Sequence, residues 1–94
     1  MSTKTQMKPL PKWFNGQIYD KGGTVENIFT GEPAELNANE LSMYDFIMGA
    51  TMVLERGDYK PVWKTRYGKL ASEHRKGLDW FRVANPSAYM VLLD

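Results

Sequence analysis

The chain has 94 residues, of which 43% are hydrophobic and 24% are charged, and its net charge at pH 7 is +1. A chain of this length forms a single domain that buries roughly 60–68% of its unfolded surface, so its core is small. It has no cysteine, which excludes disulfides, thiolate catalysis and cysteine-based zinc sites.

The composition also indicates the cellular compartment in which the protein is expected. Small secreted domains usually need disulfides, so the lack of cysteine favours the cytoplasm. The first twelve residues are polar and rich in Lys and Pro, without the apolar stretch of a signal peptide. No apolar run reaches the ~20 residues that span a bilayer. We therefore expect a cytoplasmic protein that makes no contact with membranes.

The first part of the domain is predicted as an antiparallel β-meander of two or three strands. It follows a flexible tail over residues 1–11 and opens a single domain over residues 12–94. β-Branched and aromatic residues favour strands, and adjacent glycines favour tight turns. The predicted order is a strand over 17–20, a turn over 21–23, a strand over 24–30, a turn over 31–33 and a short strand over 34–36.

A long helix is predicted from Asn37 to Arg56 because its start and stop signals agree. Asn37 is a preferred N-cap residue, and Glu40 stands where it completes a capping box. Gly57 suits the position after the helix end. Gly49, in the middle, costs up to ~1 kcal/mol relative to Ala, and its lack of a side chain can admit a second backbone.

The middle of this helix is more apolar than one buried face requires. Ten of the fourteen residues from Leu41 to Leu54 are apolar, whereas a helix with one side in water has an apolar stripe about 100° wide. The small domain must also cover Trp13, Phe14, Ile28, Phe29, Trp80, Phe81 and Leu92. Two interpretations stay open: a core helix covered by its own domain, or a helix that needs a partner.

An excess of apolar side chains predicts self-association, because large exposed apolar patches are unusual without a partner. Methionine is adaptable and common at such interfaces. We expect a homodimer in which the long helix, with part of the C-terminal helix, makes the contact through Met43, Tyr44, Ile47, Met48, Thr51, Met52 and Met90.

Two further helices are predicted after a loop over residues 58–68. The first runs from Lys69 to Ala84 and the second from Ser87 to Leu93, with Asn85 as its cap and Pro86 in its first turn. Strands followed by separate helices are typical of the α+β class. The predicted fold is the meander packed on the long helix, followed by two C-terminal helices.

No residue pattern points to catalysis, a cofactor or a metal. His74 is the only histidine, and without a second ligand or an orienting partner we expect a surface or cap-like role for it. The carboxylates are expected to be solvated. The pair Gly22-Gly23 precedes a predicted strand, so it fits neither common phosphate-binding pattern. We therefore predict a non-enzymatic protein without cofactor or metal.

A second hypothesis concerns the basic part of the chain, residues 56–82, which carry eight Lys or Arg against three acids. Cations that hold phosphates, interleaved with rings that stack on bases, are typical of single-strand nucleic-acid binding. The alternative is a solvated loop and helix face, which the near-neutral charge of the whole chain favours. The residues concerned are Lys60, Trp63, Lys64, Arg66, Tyr67, Lys69, Arg75 and Lys76.

Several segments carry a resemblance to a known group of proteins. They are Pro11-Lys12-Trp13-Phe14-Asn15-Gly16, Tyr19-Asp20-Lys21-Gly22-Gly23-Thr24-Val25, the run from Leu41 to Ala50, and the runs from Lys76 to Arg82 and from Ala84 to Asp94. From Lys12 to Asp94 the chain resembles short proteins, without an assigned activity, of contractile-tailed phages of marine cyanobacteria. The resemblance implies a phage or marine origin and expression in a bacterial host cytoplasm, and it implies no activity.

Taken together, the sequence predicts a non-catalytic protein-interaction protein that forms a homodimer through its apolar helix. A host or phage protein is the alternative partner, and binding of single-stranded nucleic acid is the alternative function.

Overall fold

The computed structural model describes residues 7–56 and 64–93, with the side chains of residues 7–55 and 68–93. Within these ranges the chain forms two strands and three helices, namely β1 (Gly23–Glu26), β2 (Pro33–Leu36), α1 (Ala38–Arg56), α2 (Lys64–Ala84) and α3 (Pro86–Leu92). This order confirms the predicted α+β fold. The predicted glycine at the end of α1, Gly57, lies outside the described residues.

β1 and β2 form an antiparallel hairpin in which Gly23 lies opposite Leu36. Residues 17–20, which belong to the described chain, form no strand, so the predicted first strand and first turn are wrong. Gly22 instead lies against the end of β2, where a Cβ atom would be 2.0 Å from the carbonyl oxygen of Leu36. Gly22 therefore permits close approach of two backbones instead of forming a hairpin turn.

The hairpin turn spans residues 27–32 and interrupts the strand predicted over 24–30. The Asn27 N–H donates to the carbonyl of Glu32 (2.9 Å), and the Asn27 carbonyl accepts from the N–H of Gly31 (2.8 Å). Gly31 has a φ of 78°, in the left-handed region that glycine adopts at little cost. The predicted second strand therefore ends before Asn27, and the predicted short third strand is confirmed as β2.

The segment before β1 crosses α1 instead of pairing with a strand. The Tyr19 N–H donates to Oγ of Ser42 (2.9 Å). The hydroxyl of Ser42, which is fully buried, donates in turn to the carbonyl of Ala38 (2.8 Å). A buried side-chain hydroxyl thus satisfies the backbone of this segment in place of a strand partner.

The start of α1 is fixed by the predicted capping box. The Glu40 N–H donates to Oδ1 of Asn37 (2.8 Å), and the Asn37 N–H donates to Oε1 of Glu40 (3.0 Å). The first of these bonds satisfies an N–H group that the helix itself leaves without a partner. The predicted N-cap of α1 is confirmed.

One face of α1 packs against α2, and a glycine of α2 lets the two helices come close together. A Cβ atom on Gly77 of α2 would lie 3.2 Å from Sδ of Met43 and 3.3 Å from Cγ1 of Ile47. A Cβ atom on Gly49 would instead meet open space. The close approach within the chain is therefore at Gly77, and Gly49 lies on the outer side of α1.

The two C-terminal helices follow the predicted order with one changed boundary. α2 begins at Lys64, so residues 64–68, predicted as loop, are helical. A single Gly68 inside the first turns costs only about 1 kcal/mol, which the rest of a 21-residue helix can outweigh. Asn85 caps α3 as predicted, because its Oδ1 accepts from the N–H of Ala88 (3.1 Å), with Pro86 in the first turn.

The core lies between the three helices and the inner side of β2, and it consists of Leu36, Met43, Ile47, Trp80, Phe81, Ala88 and Leu92. The segment before β1 covers one side of it. The rings of Trp13 and Phe14 pack on Phe46, with centroids 5.7 and 5.8 Å apart. No helix in the described ranges combines the length and the apolar content needed to cross a bilayer.

The end of the segment predicted as a flexible tail contacts the helices. Nε1 of Trp80 donates to the carbonyl of Pro9 (2.9 Å), and Nδ2 of Asn39 donates to the carbonyl of Lys8 (3.1 Å). Leu10 packs against the core. The first six residues of the tail lie outside the described part of the chain.

Candidate interaction surfaces

Two of the predicted interface residues are core residues of the chain itself. Met43 is 0% exposed and Ile47 is 1% exposed, because Gly77 brings α2 directly onto them. Their assignment to an interface is wrong. The apolar run of α1 is therefore divided between one face that the chain buries and another that it leaves outside.

Two more of the predicted interface residues have polar or aromatic partners within the chain. The ring of Tyr44 packs on Phe81 with centroids 6.3 Å apart, and burial raises the pKa of the Tyr44 phenol. Thr51 donates to the carbonyl of Ile47 (2.8 Å). Both residues are half-buried, so they lie at the border of any outer surface and not at its centre.

Met48 and Met52, the remaining predicted residues on α1, lie in an exposed apolar patch together with two neighbours that were not predicted. We call Met48, Gly49, Met52 and Val53 the α1 patch. Met52 is 66% exposed and Val53 is 44% exposed, and half-buried Met48 lies one turn before Met52. Residues three and four apart are neighbours on a helix surface, so these side chains form one continuous strip around an open glycine.

A second exposed apolar group lies at the hairpin turn, where the sequence predicted core residues. Phe29 is 90% exposed and Ile28 is 71% exposed. Met90 of α3 is 68% exposed, and it precedes Val91, whose carbonyl accepts from Nδ2 of Asn27 (2.8 Å). We call Ile28, Phe29 and Met90 the tip patch. Met90 thus belongs to the helix that anchors the hairpin turn, and it was predicted to share the α1 interface.

The turn that presents the tip patch is held by several hydrogen bonds. Oδ1 of Asn27 accepts from the N–H groups of Phe29 (2.7 Å) and Thr30 (3.0 Å). The Glu32 N–H donates to Oγ1 of Thr30 (3.2 Å). Asn side chains that bond to the backbone two residues on are typical of turns. This was the signal in the sequence: Asn27 followed by Gly31 marks a turn inside an otherwise strand-like run.

The surroundings of the tip patch are acidic. Glu26, Glu32 and Glu35 on the hairpin are all exposed, and Lys21 is the one basic residue between positions 13 and 55. The hydroxyl of Thr24 donates to the carboxylate of Glu35. The hairpin therefore presents apolar side chains beside a negative field.

His74 connects the two long helices. Its Nε2 lies 2.8 Å from Oγ1 of Thr51, and because Thr51 donates its one proton to a carbonyl, Nε2 of His74 is the donor of this contact. Burial lowers the pKa of His74, and the Glu55 carboxylate partly opposes that effect. The predicted surface or cap-like role is wrong, because this half-buried ring bonds to the facing helix.

The residues of the nucleic-acid hypothesis are only partly described. Lys60 and Trp63 lie outside the described residues. Lys64, Arg66 and Tyr67 belong to the first turn of α2, and their side chains are outside the described set. The structure shows that Lys69, Arg75 and Lys76 are exposed on the outer side of α2.

A small groove lies among the described residues, and the same residues hold no cluster suited to a metal. The groove, about 160 Å³, lies between β2 and α3 and is lined by Pro33, Ala34, Glu35, Asn85, Ser87, Ala88 and Val91. No group of three His, Asp or Glu within the described ranges is placed to hold a metal ion. The buried carboxylate of Glu40 is already bonded, to the Asn37 N–H and to Nδ2 of Asn85 (both 3.0 Å).

Comparison of the chain with models of protein families, with curated proteins and with solved structures finds no match.

Proposed function

We propose that this chain is a non-catalytic protein-interaction protein that self-associates through the α1 patch. The observation that carries the proposal is the exposure of Met52 and Val53 on a helix whose opposite face is already buried. Exposed apolar strips of this kind mark association surfaces. By its resemblance to phage proteins, we place its action in a bacterial host cytoplasm.

The geometry of the α1 patch suits a helix-to-helix contact between two copies. A Cβ atom at Gly49 would meet open space, so a second backbone can approach α1 closely at that point. Met48 and Met52 flank the glycine and adapt their shape to a facing helix. A two-fold axis through Gly49 would place the same strip on both copies, as an isologous dimer requires.

The expected affinity is modest. The α1 patch uses few side chains, and total interfaces below about 1,200 Å² are typical of weak or transient complexes. Association also costs several kcal/mol of lost translational and rotational freedom. We therefore expect a dimer with a dissociation constant roughly in the micromolar range.

Sedimentation equilibrium on the full chain, up to about 1 mM protein, tests the proposal. Met52→Glu and Met48→Glu should shift the chain to monomer, because each places a charge in the dimer contact. Val83→Glu is the matched control, since Val83 is 67% exposed on α2. A wild-type chain that stays monomeric at the highest concentration contradicts the proposal.

A second candidate function is binding of single-stranded nucleic acid. The exposed Lys69, Arg75 and Lys76 on α2 support it, since cations along one helix can follow a phosphate backbone. Fluorescence anisotropy of a labelled oligonucleotide at low salt is the test. Binding should fall steeply as salt is added, and Lys69→Ala with Lys76→Ala should weaken it. No anisotropy change at low salt contradicts this candidate.

A further inference from the structure

We infer that the hairpin turn is a docking element, which inserts Phe29 into an apolar pocket with a basic rim on a different protein. This surface is separate from the α1 patch, so the inference does not depend on the proposed dimer. Three observations carry it: the exposure of the tip patch, the rigidity of its turn and the charge around it.

The two most exposed large apolar side chains of the described residues are neighbours on the hairpin turn. Phe29 is 90% exposed and Ile28 is 71% exposed, so neither side chain is buried in the core of the domain. Single exposed apolar residues are ordinary, but adjacent large ones on a projecting turn form a patch. Aromatic side chains that enter a partner's pocket are the residues that contribute most to many interfaces.

The turn is ordered before any partner arrives. Asn27 makes three side-chain hydrogen bonds, two to the turn backbone and one to the carbonyl of Val91 on α3. These bonds fix both the shape of the turn and its position on the domain. A side chain presented on a rigid turn loses little conformational entropy on binding, which raises affinity without added contacts.

The negative charge of the hairpin indicates which kind of partner can bind to it. Glu26 and Glu32 flank the turn, and Glu35 lies on the same hairpin. These acids repel nucleic-acid phosphates and anionic membranes, and a tip-to-tip contact between two copies would bring like charges together. A protein surface that surrounds an apolar pocket with Lys and Arg complements both features of the hairpin.

Selection from a random peptide library displayed on yeast tests the inference. Cells that bind the wild-type chain are kept, and cells that bind Phe29→Ser are removed. We expect the enriched peptides to combine apolar residues with Lys or Arg. For a synthesised peptide, Phe29→Ala should weaken binding about 30-fold, and added salt should weaken it further.

Two sets of variants sharpen the result. Asn27→Ala keeps Phe29 but removes the three side-chain bonds that help to order the turn, and it should weaken binding about tenfold. Met52→Glu and Val83→Ala should bind the peptide as the wild type does, because neither alters the hairpin. Circular dichroism confirms that each variant is folded.

Several outcomes would overturn the inference. They are the absence of enriched peptides, enriched peptides that bind Phe29→Ala as tightly as the wild type, and enriched peptides without basic residues. If Phe29→Ala changes the oligomeric state of the chain alone, the occupant is a second copy, and the inference of a different protein is also overturned.

Discussion

The side-chain amide of Asn85 donates to the buried carboxylate of Glu40, with Nδ2 and Oε1 3.0 Å apart across 45 positions of the chain. Each residue also caps a helix: Glu40 belongs to the capping box of α1, and Asn85 is the N-cap of α3. One hydrogen bond therefore couples the starts of two helices.

Asn85→Asp tests this coupling. Asp keeps the acceptor that caps α3 but loses the donor, and it places a second carboxylate beside Glu40. We expect a loss of about 2–3 kcal/mol in the free energy of unfolding at pH 7, measured by urea denaturation. Asn85→Ser, which keeps a cap without a charge, should lose less.

The difference between the two Asn85 variants should shrink as the pH falls. Two crowded carboxylates bind a proton more readily in the folded state than in the unfolded chain, so protonation relieves the repulsion. Equal stabilities of the Asp and Ser variants at pH 7 would show that the amide does not bond to Glu40 in solution.

The two mid-helix glycines should respond differently to substitution. Gly49→Ala adds a methyl group in open space, so helix propensity alone should stabilise the chain by about 0.5–1 kcal/mol. Gly77→Ala gains the same propensity but meets Met43 and Ile47 at 3.2 and 3.3 Å, so its net gain should be smaller. Gly77→Val should cost about 1–3 kcal/mol through overpacking. Thermal unfolding of the three variants ranks them, and a Gly77→Val chain as stable as Gly49→Ala would contradict the α1–α2 packing.

His74 should make the free energy of unfolding decrease at acidic pH. Its folded pKa is lowered by burial, so the unfolded chain binds the proton first. The contribution of neutral His74 to the free energy of unfolding should therefore be fully present above pH ~6.5. It should decrease as the pH falls below that value. His74→Gln keeps a donor for Thr51 but does not titrate, so its stability should decline less from pH 7 to pH 5. Parallel stability profiles for the two proteins would contradict the lowered pKa.

Trp80 should depend on the segment that precedes the hairpin. Trp80→Phe removes the donor to the Pro9 carbonyl and should cost about 1 kcal/mol. In a chain that lacks residues 1–9 the same substitution should cost much less, because the bond is already absent. The difference between the two costs, measured by denaturation, is the coupling energy, and a value of zero would mean that the contact contributes nothing to stability.

The helix starts could be predicted from the sequence because their determinants are local. Asn37 and Glu40 are three residues apart, and Asn85 directly precedes Pro86. Each signal acts within one helical turn, so no knowledge of the rest of the fold is needed.

The strands could not be placed in the same way. The run from Thr24 to Thr30 has the composition of one strand, but Asn27 ends it by bonding locally to Phe29 and Thr30, and its bond to Val91, 64 positions further on, anchors the turn. Gly22 resembles a turn residue, yet the carbonyl of Leu36 decides its role. The role of Gly22 depends on a tertiary contact that a local pattern does not contain, whereas the turn had a local signal in Asn27 and Gly31 that the strand-like composition outweighed.

The candidate surfaces could also be predicted only in part, because tertiary contacts decide which apolar residues are exposed. The sequence shows that α1 has more apolar residues than one buried face requires. It does not show which of these residues α2 covers. Gly77 decides that, and it buries Met43 and Ile47. Conversely, Phe29 was expected in the core because large aromatics usually lie there, and a hydrogen-bonded turn keeps it outside.

The bond between Asn27 and Val91 also sets an order of events during synthesis. Asn27 leaves the ribosome 64 residues ahead of the carbonyl that anchors it. The bonds within the turn are local and can form early, whereas the bond that fixes the turn on the domain must wait until Val91 has been synthesised. Phe29 therefore gains its fixed position on the domain only when α3 is in place, so the surface inferred to recognise a partner is completed late.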